Sequence, residues 1–301
     1  MEPKITLGIC VRNCEGLIKN AIQSILEQDF DHDSMQLIFV DDGSTDRTLS
    51  VIKESVSKLD MTTTIIPVSW KGIGHARNLV VSKTEDDYVL WVDGDMVLSK
   101  GFVKTLVDFM KSHDDAAIVK GKQSLNSGLN MISTLEAYSR IERHMVNYQS
   151  PKSRFRSLGT GGSIYRVEVI RQVGGFDENL RYYGEDWDIE LRIRDAGWSL
   201  HTVDAEFFDY EQQRLSWSGL WKKYWIRGYY SHYFFHKNSS LVKFYRMIPF
   251  AAALGGLLRS HKIYPRTKNK FAFMLPIHSF FKMSAWCVGY VRSHLDSYEP
   301  R

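Results

Sequence analysis

Two carboxylates follow directly on an apolar stretch of the chain. Residues 88–92, YVLWV, run straight into Asp93, Gly94 and Asp95. Carboxylates at the end of a buried strand repel each other and are costly to desolvate unless a cation lies between them. The pattern therefore favours one of two structures: a capped turn, or a site in which oxygen ligands hold a divalent metal ion.

A second acidic group begins a predicted helix later in the chain. In GEDWDIELRIRDAGW, residues 184–198, the first helical turn holds Glu185, Asp186 and Asp188. The helix dipole stabilises acidic side chains at this position, so helix capping alone is one explanation of the group. The residues by themselves leave open whether the group has a further role.

Strands and helices alternate through the first hundred residues. Apolar runs predict strands at 5–11, 36–46, 62–68 and 88–95, and helical periodicity predicts helices at 16–28, 46–59 and 72–84. This alternation is typical of a mostly parallel sheet, in which ligands bind beyond the carboxyl ends of the strands. Polar pairs follow three of the strand ends, namely Arg12 with Asn13, Asp41 with Asp42, and Asp93 with Asp95. We expect these side chains at one edge of the sheet, where catalytic groups concentrate.

Charge is distributed unevenly along the chain. The 301 residues are 44% hydrophobic and carry a net charge of +4, which is ordinary for a folded protein. Residues 1–210 hold 24 Lys and Arg against 32 Asp and Glu, a net charge of −8, whereas residues 211–301 hold 15 against 3, a net charge of +12. This asymmetry predicts a basic C-terminal region that faces an anionic surface.

The cysteine and hydropathy patterns predict a cytosolic location. The three cysteines form neither a disulfide pattern nor a zinc pattern, as is usual in a reducing compartment, and the N-terminus lacks a signal-peptide pattern. The apolar stretch at 247–258 is too short to span a bilayer, and the longer stretch at 271–291 is interrupted by Pro276, His278 and Lys282. We therefore predict no transmembrane helix, although the sequence leaves open whether 271–291 inserts into a bilayer.

Aromatic and basic residues interleave in WSGLWKKYWIRGYYSHYFF, residues 217–235. Aromatic residues recur every four positions and therefore share one helical face. These residues are Trp217, Trp221, Trp225, Tyr229 and Tyr233. Aromatic rings beside Lys and Arg are typical of a membrane–water boundary with anionic headgroups. Packing of this face on the catalytic domain and a dimer interface are the open alternatives. A nucleic-acid surface is not predicted, because no nucleic-acid motif accompanies the pattern.

Four stretches in order resemble the family 2 glycosyltransferases, which are inverting enzymes with the GT-A fold. The stretches are ITLGICVRNCEGLIKNAIQSILEQDF, FVDDGSTDRT, GIGHARNLVVSKTEDDYVLWVDGD and GGFDENLRYYGEDWDIELRIRDAGW. The resemblance covers about residues 4–210. It implies an α/β, Rossmann-like, mostly parallel central sheet flanked by helices, followed by a helical aromatic-basic extension.

The resemblance also implies roles for individual residues. Asp42, with Asp41, is similar to the acid that reads the base or ribose of the nucleotide, and Arg77 to an arginine that approaches the diphosphate or stabilises the preceding loop. Asp93 and Asp95 resemble the Asp-x-Asp that binds ribose and a divalent cation, Mn²⁺ or Mg²⁺. Asp186 matches the general base, with Glu185 beside it. The candidate nucleotide-sugar residues are Val11, Arg12, Asn13, Asp41, Asp42, Arg77, Asp93, Gly94 and Asp95.

The acceptor side and the metal site are expected to involve further residues. Gly161 and Gly162, in GTGGSIYR, resemble an acceptor-side loop, although a tight turn before a strand explains them equally well. Trp187 either stacks on an acceptor sugar or packs in the core. Asp209 aligns with a metal-binding His of many relatives and is a third candidate metal ligand, although a surface Asp explains it as well. His75, in the Gly-rich turn before Arg77, is a weaker candidate for the diphosphate, and His144 is expected to face solvent on a helix.

Two departures from the family pattern matter for function. Cys10 stands where the family often has Pro, and a Tyr usual near Arg12 is absent, so the contacts around the base are expected to differ. The QxxRW signature of processive synthases is absent, since EQQRLSW places Arg214 too early and Trp217 apart from it. This absence predicts transfer of a single sugar.

The combined hypothesis is a metal-assisted, inverting glycosyltransferase on the cytoplasmic face of a membrane. It would move one sugar from a UDP- or GDP-sugar to a glycan or lipid-linked acceptor. Residues 1–210 would form the catalytic domain, with 1–95 binding the donor and 96–210 the acceptor, and residues 211–301 would associate with an anionic membrane, with a homodimer as a further possibility. The alternatives are a non-catalytic membrane-bound scaffold of the same fold and a sugar nucleotidyltransferase.

Overall fold

The chain divides into two compact units in a computed structural model that describes residues 3–57, 59–124, 130–140, 148, 150–210, 215–241 and 247–297. The first unit comprises Met1–Ser124, Asn147–Arg181 and Glu185–Tyr210. The second comprises Leu125–Val146, Tyr182–Gly184 and Glu211–Arg301. The second unit thus includes two segments that precede residue 210, and the predicted functional division at that residue stays a prediction.

Eight strands and ten helices are described. The strands are β1 (Ile5–Val11), β2 (Met35–Asp42), β3 (Thr62–Val68), β4 (Tyr88–Trp91), β5 (Met96–Leu98), β6 (Ala116–Gln123), β7 (Ser163–Arg166) and β8 (Ser199–Asp209). The helices are α1 (Ile18–Leu26), α2 (Thr48–Val56), α3 (Ile73–Lys83), α4 (Phe102–Ser112), α5 (Met131–Arg140), α6 (Val167–Gln172), α7 (Glu185–Asp195), α8 (Trp217–Lys237), α9 (Pro249–Thr267) and α10 (Leu275–Leu295).

The first unit is built on one mixed sheet with the strand order β3-β2-β1-β4-β7-β6-β8-β5. The pairs β1–β2, β2–β3, β1–β4 and β6–β8 are parallel, as the βαβ alternation predicts. The alternate side chains Ile5, Leu7 and Ile9 of β1 are fully buried, and the apolar face of α1, including Ile18 and Ile25, packs into the same core. The carboxyl ends of β1, β2 and β4 therefore share one edge.

Strand β7 is inserted between β4 and β6 and runs antiparallel to both. Its N-terminal turn is thereby carried to the carboxyl end of β4, where the Gly162 N–H donates to the Trp91 carbonyl at 2.9 Å and the Gly162 carbonyl accepts from Gly121 N–H at 3.0 Å. The predicted acceptor-side glycines consequently lie at the same edge as the acids of β4.

Strand β5 pairs antiparallel with the end of β8, and this pairing brings the backbones of residues 95–96 and 209–210 together. Met96 lies opposite Asp209, and the Tyr210 N–H donates to the Asp95 carbonyl at 2.9 Å. The sequence did not predict this edge pair, because β5 has only three residues.

The second unit is a helical assembly in which α8 and α10 lie in close contact. A Cβ on Gly228 of α8 or on Gly289 of α10 would overlap the backbone of Trp286 or Trp225, respectively, of the opposite helix. A buried carboxylate, Glu136 of α5, accepts from Tyr224 Oη of α8 at 2.7 Å and from Lys282 Nζ of α10 at 2.8 Å. These polar contacts connect three helices.

The aromatic face of α8 is directed to α10. The Trp217 and Trp221 rings lie 4.8 and 5.2 Å from the ring of Phe281. The periodic aromatic residues are therefore partly buried inside the second unit. Among the described residues, one helical segment, Lys270–Leu295, has the length and apolar composition needed to cross a membrane.

Candidate active site

The turn after β1 is fastened to the turn after β2. Asn13 adopts a left-handed backbone conformation with φ of 54°, its N–H donates to Ser44 Oγ at 3.0 Å, and its Oδ1 accepts from Thr45 N–H at 2.8 Å. Val11 is buried at the strand end, whereas Arg12 is exposed and its guanidinium lies 5.3 Å from the centre of the Trp70 ring. Arg12 is thus an exposed cation at this edge of the sheet, and Asn13 holds the two turns together.

The two acids that end β2 are buried and hold backbone turns in place. Asp42 accepts from Lys71 N–H at 2.8 Å through one oxygen and from Gly72 N–H at 2.9 Å through the other. Asp41 accepts from Ser44 N–H at 3.1 Å. Each ionised carboxylate oxygen offers more than one lone pair, so these bonds leave acceptor capacity for a ligand. Their predicted contact with a nucleoside stays a prediction.

A buried ion pair connects α3 to the start of α7. Arg77 Nη1 donates to Glu185 Oε1 at 2.6 Å, and the Arg77 guanidinium also lies over the rings of Trp91 and Phe176. Burial by itself would lower the pKa of Arg77, but the charges of Glu185 and Asp93 raise it overall. Arg77 therefore remains cationic and anchors the helix that carries Asp186.

The Asp93-Gly94-Asp95 turn is tightly packed. The Met96 N–H donates to the Asp93 carbonyl at 3.0 Å, which closes the turn. A Cβ on Gly94 would lie 2.8 Å from Cys14 Sγ and 2.9 Å from Val11 Cγ1, so only glycine fits between the two acids. The turn presents both carboxylates at the edge of the sheet, and neither is fully buried.

The oxygen ligands around this turn are of the kind that divalent cations prefer. The pairing of β5 with β8 sets Asp209 opposite Met96, the residue that follows Asp95, and Gln123 Nε2 donates to Asp209 Oδ2 at 3.2 Å. In the part of the chain that is described, no three His, Cys, Asp or Glu side chains converge closely enough to form a complete metal site. Mg²⁺ characteristically takes only one or two protein carboxylates together with phosphate oxygens and water, so the residues present fit such an ion.

The loop at residues 157–162 is held from two sides. Glu190 of α7 accepts from Leu158 N–H at 2.8 Å, from Gly159 N–H at 2.7 Å and from Ser157 Oγ at 3.0 Å. On the other side, Lys120 Nζ of β6 donates to the Gly159 carbonyl at 3.1 Å and to the Gly161 carbonyl at 2.6 Å. The sequence did not single out either residue: Glu190 lies within the last of the four family stretches, where the resemblance implies no role for it, and Lys120 lies outside all four.

This loop lies between the two groups of acids that the sequence singled out. A Cβ on Gly159 would lie 3.5 Å from Asp186 Oδ2, and a Cβ on Gly161 would overlap Asp93 Oδ2. Gly162 has φ of 71° and fits closely against the Phe207 ring. Asp186 and Asp93 thus approach the same turn at positions two residues apart.

Carboxyl groups on either side of Asp186 have perturbed acidity. Burial raises the pKa of Glu185 to about 7, and the charge of Asp186 raises it further. The pKa of Glu190 is also about 7, for the same two reasons in the same order. Carboxyl groups whose pKa is raised toward neutrality by burial and by a neighbouring negative charge are typical of sites that perform acid–base chemistry.

Trp187 and His75, two further candidates from the sequence, each contact a neighbouring residue of the protein. The Trp187 indole N–H donates to the Arg154 carbonyl at 2.9 Å, which supports the packing alternative without testing the sugar-stacking one. His75 Nδ1 lies 2.9 Å from Glu178 Oε2, at the outer side of α3. His144 lies outside the described residues.

The strand order, the acids at the carboxyl ends of β2 and β4, and the acid-bearing helix α7 define a GT-A fold glycosyltransferase. The family model described as "Glycosyl transferase family 2" matches residues 6–174, more than half of the chain, so the chain belongs to that family. The predicted family, fold class and enzyme class are thereby confirmed.

Two solved structures show the same fold. The mannosyltransferase PcManGT from Pyrobaculum calidifontis, in complex with GDP-Man and Mn²⁺, is 16% identical, with a TM-score of 0.69 over 99% of this chain and 89% of that one. Staphylococcus aureus TarS 1–349, in complex with UDP-GlcNAc, is also 16% identical, with a TM-score of 0.53 over 99% of this chain and 93% of that one.

Curated relatives are similar in sequence at a moderate level. The probable glycosyltransferase YdaM of Bacillus subtilis is 23% identical over 96% of this chain and 71% of its own length. The poly(ribitol-phosphate) β-N-acetylglucosaminyltransferase TarS of Staphylococcus aureus is 29% identical over 56% of this chain, but that match spans only 30% of TarS.

Proposed function

We propose that this glycosyltransferase moves a single sugar from a nucleoside diphosphate donor to an acceptor hydroxyl with inversion at the anomeric carbon. One observation carries the proposal: Asp186 and Asp93 approach opposite ends of the loop that contains Gly159 and Gly161. Direct displacement needs a base for the acceptor hydroxyl, which a carboxylate on the acceptor side supplies, and positive charge at the departing diphosphate, which a carboxylate on the donor side would provide by holding a cation.

Asp186 is the proposed general base. The acceptor hydroxyl loses its proton to Asp186 as its oxygen attacks the anomeric carbon, while the bond from that carbon to the diphosphate breaks. After burial, the charge of Asp186 is the second cause that raises the pKa of both Glu185 and Glu190, so the acid–base behaviour of this cluster centres on Asp186. Asp186 then gives this proton to solvent after the product leaves.

The donor side is proposed to consist of the loops that follow β1, β2 and β4. Asp41, Asp42 and Arg12 would contact the nucleoside, and Asp93 and Asp95 the ribose and the diphosphate. Arg77 serves this side indirectly, since its guanidinium is engaged by Glu185. PcManGT with GDP-Man and TarS with UDP-GlcNAc make both guanosine and uridine donors reasonable for this fold.

A divalent cation, Mn²⁺ or Mg²⁺, is proposed as the cofactor. Asp93 and Asp95, together with Asp209, would hold it, and it would supply positive charge to the departing diphosphate. The Mn²⁺ in the PcManGT complex supports this proposal. The register of β5 and β8, in which Asp209 lies opposite Met96, the residue that follows Asp95, is the support from this chain.

The acceptor is proposed to be a lipid-linked or membrane-proximal glycan at the cytoplasmic face of a membrane. The net charge of +12 in residues 211–301 supports this location, and the absence of a QxxRW motif supports transfer of one sugar rather than polymer synthesis. A non-catalytic scaffold of the same fold is the alternative, and the retained acids at positions 93, 95 and 186 argue against it.

Calorimetric titration with UDP and then GDP, each with and without Mn²⁺, tests the donor site. We expect one of the two nucleotides to bind in a Mn²⁺-dependent manner, and the preferred nucleotide identifies the donor class. Absence of binding by both, with or without the metal, would refute the proposed donor site. Hydrolysis or transfer assays with the matching nucleotide sugars then define the sugar.

A further inference from the structure

Large exposed apolar side chains are concentrated on α9, α10 and the turn that joins them. Among the described residues, 13 large hydrophobic side chains are exposed, and all but Tyr182 lie between positions 248 and 295. They form what we call the α9–α10 face, which consists of Ile248, Phe250, Leu254, Leu257, Leu258, Phe271, Phe273, Ile277, Phe280, Val288, Val291 and Leu295. An apolar concentration of this kind marks an interaction surface.

The side chains of this face follow helical spacing and join across the two helices. On α9 they recur at Phe250, Leu254 and Leu258, and on α10 at Val288, Val291 and Leu295. The Phe250 and Phe280 rings lie 5.2 Å apart, so the two helices contribute to one continuous surface. The exposed residues of the two helices therefore meet at Phe250 and Phe280, and each helix carries its exposed apolar residues at helical spacing.

On these two helices, small residues are buried and large apolar residues are exposed, which is the reverse of the usual arrangement in water. The sides that pack inside the second unit carry small residues, among them Gly256 and Ser260 on α9 and Ala285, Gly289 and Ser293 on α10. A helix in water normally buries its large apolar residues and exposes its polar ones. In the most apolar 18-residue stretch of Lys270–Leu295, only 28% is buried, whereas the core helix of a soluble domain is mostly buried.

The charge of the same region identifies the chemistry of the partner. Residues 212–295 contain 14 Lys and Arg and no Asp or Glu. Four of these cations are exposed at the end of α9 and in the turn before α10, and they are Lys262, Arg266, Lys268 and Lys270. The partner must accordingly be apolar and anionic. A second copy of this face would bring like charges together, which disfavours a homodimer here.

We propose that the α9–α10 face docks on an anionic phospholipid surface, with its apolar side chains at the headgroup–acyl boundary and the cations at 262–270 on the headgroups. Amphipathic helices with these properties lie in the plane of a membrane. The inference deepens the proposed function by naming the surface that would bring the enzyme to a membrane-proximal acceptor. It also assigns docking to α9 and α10, whereas the sequence pattern directed attention to the aromatic residues of α8.

Vesicle co-sedimentation of the full chain tests the proposal. Vesicles of phosphatidylcholine alone are compared with vesicles that also contain phosphatidylglycerol, at low and high salt. We expect binding to the phosphatidylglycerol vesicles that weakens with salt, because exposed cations near the surface each add to the attraction. No binding to the anionic vesicles, or equal binding to both kinds, would overturn the proposal.

Matched variants locate the docking surface. Phe250→Ser combined with Leu254→Ser removes apolar area, and Lys268→Ala combined with Lys270→Ala removes charge. We expect each pair to lower the partition coefficient on anionic vesicles about tenfold or more. Tyr182→Ser and Lys222→Ala, an exposed apolar and an exposed basic position outside the face, serve as controls and should leave it unchanged. Equal loss in the controls would refute the assignment.

Nucleotide titration of every variant separates this proposal from the proposed function. A variant that no longer binds vesicles but still binds UDP or GDP supports docking by this face. If the wild type binds vesicles but neither nucleotide, the proposed donor site is refuted and the docking proposal stands. A stable dimer in sedimentation velocity, dissolved by the serine variants and indifferent to lipid, would overturn the docking proposal. Protein that leaves the membrane only with detergent, and not with alkaline carbonate, would also overturn it, because that result indicates a spanning helix.

Discussion

Arg77 on α3 donates a 2.6 Å hydrogen bond to Glu185 at the first position of α7, although the two residues are 108 positions apart in the chain. Their side chains are only 7% and 8% exposed, so the pair is removed from solvent. Because Asp186 is the next residue of the chain, this single contact sets where the proposed base stands relative to the donor-side half of the sheet.

Loss of the Arg77 guanidinium should destabilise the first unit strongly. Arg77→Met leaves Glu185 buried without its cation, and breaking a buried pair in this way typically costs about 3–5 kcal/mol. Urea denaturation measures the change. Arg154→Ala is the control, since Arg154 pairs with Asp195 at the surface and such pairs contribute about 0–1 kcal/mol. Similar losses in both variants would contradict the structural role of Arg77.

Asp186→Asn should abolish transfer while donor binding survives. The amide has the size of the carboxylate but cannot accept the acceptor proton, and general base catalysis contributes about 10²–10⁴-fold to rate. Turnover of a nucleotide sugar and calorimetric binding of the matching nucleotide are measured side by side. Asp195→Asn, at the other end of the same helix, should be fully active. Normal turnover in the Asp186 variant would remove Asp186 as the base.

Gly161→Ala should weaken binding of the donor by displacing Asp93. The added Cβ would overlap Asp93 Oδ2, and overpacking of this kind costs about 1–3 kcal/mol. Moving Asp93 out of the donor site to relieve the overlap should lower affinity by a comparable amount, about 5-fold to 150-fold. Gly16→Ala is the matched control, because a Cβ there meets no atom within 4 Å. Titration with the preferred nucleotide and Mn²⁺ gives the affinities, and unchanged affinity in Gly161→Ala would place the donor elsewhere.

Removal of the metal ligands should uncouple nucleotide binding from Mn²⁺. Asp95→Ala is expected to bind nucleotide equally weakly with Mn²⁺ and with EDTA, since the carboxylate that holds the ion next to the diphosphate is gone. Asp209→Ala should show a smaller reduction of the same kind, and exposed Asp204→Ala none. A full Mn²⁺ effect in Asp95→Ala would exclude that residue as a ligand.

Stability should fall as pH rises through neutrality, and Glu190 should account for part of the fall. Because the pKa of Glu190 is about 7 in the folded protein and 4.5 is its ordinary value, the folded state holds a proton that the unfolded chain releases. The resulting stabilisation is complete below pH 4.5 and is lost as pH rises through about 7, and it is on the order of 3 kcal/mol.

Thermal denaturation between pH 5 and pH 8 tests this dependence. Glu190→Gln keeps a side chain of the same size without a titrating proton, so its stability should vary less over the interval than that of the wild type. Glu168→Gln, at an exposed position, should retain the wild-type slope. An unchanged slope in Glu190→Gln would mean that Glu190 is ionised throughout.

Local patterns sufficed for the parts of the fold that are local. The predicted strands at 5–11 and 62–68 match β1 and β3, and the polar strand ends of β1, β2 and β4 do share an edge. The antiparallel insertion of β7 and the pairing of β5 with β8 could not be predicted, because nothing in a short strand specifies a partner more than 60 residues away.

The same limit applies to the site. Asp93 and Asp186 stand in recognisable motifs. Lys120 lies outside those motifs, and Glu190, although it lies in the same stretch as Asp186, acts on the backbone of a distant loop that the stretch does not reveal. The aromatic residues of α8 show the converse problem. Their spacing indicates a helical face, but Trp and Tyr suit both a lipid boundary and a neighbouring helix, and only the structure reveals that α10 covers them.

The antiparallel register of β5 and β8 makes this region intolerant of changes in chain length. Met96 pairs with Asp209 and Leu98 with Phe207, and this register fixes the position of Asp209 relative to the Asp93-Gly94-Asp95 turn. Insertion or deletion of one residue in β8 would reverse the direction of every side chain between that point and the strand end. Homologous chains that retain the site should therefore differ by substitution in β8 and confine their length differences to loops away from this edge, such as the turn between α4 and β6.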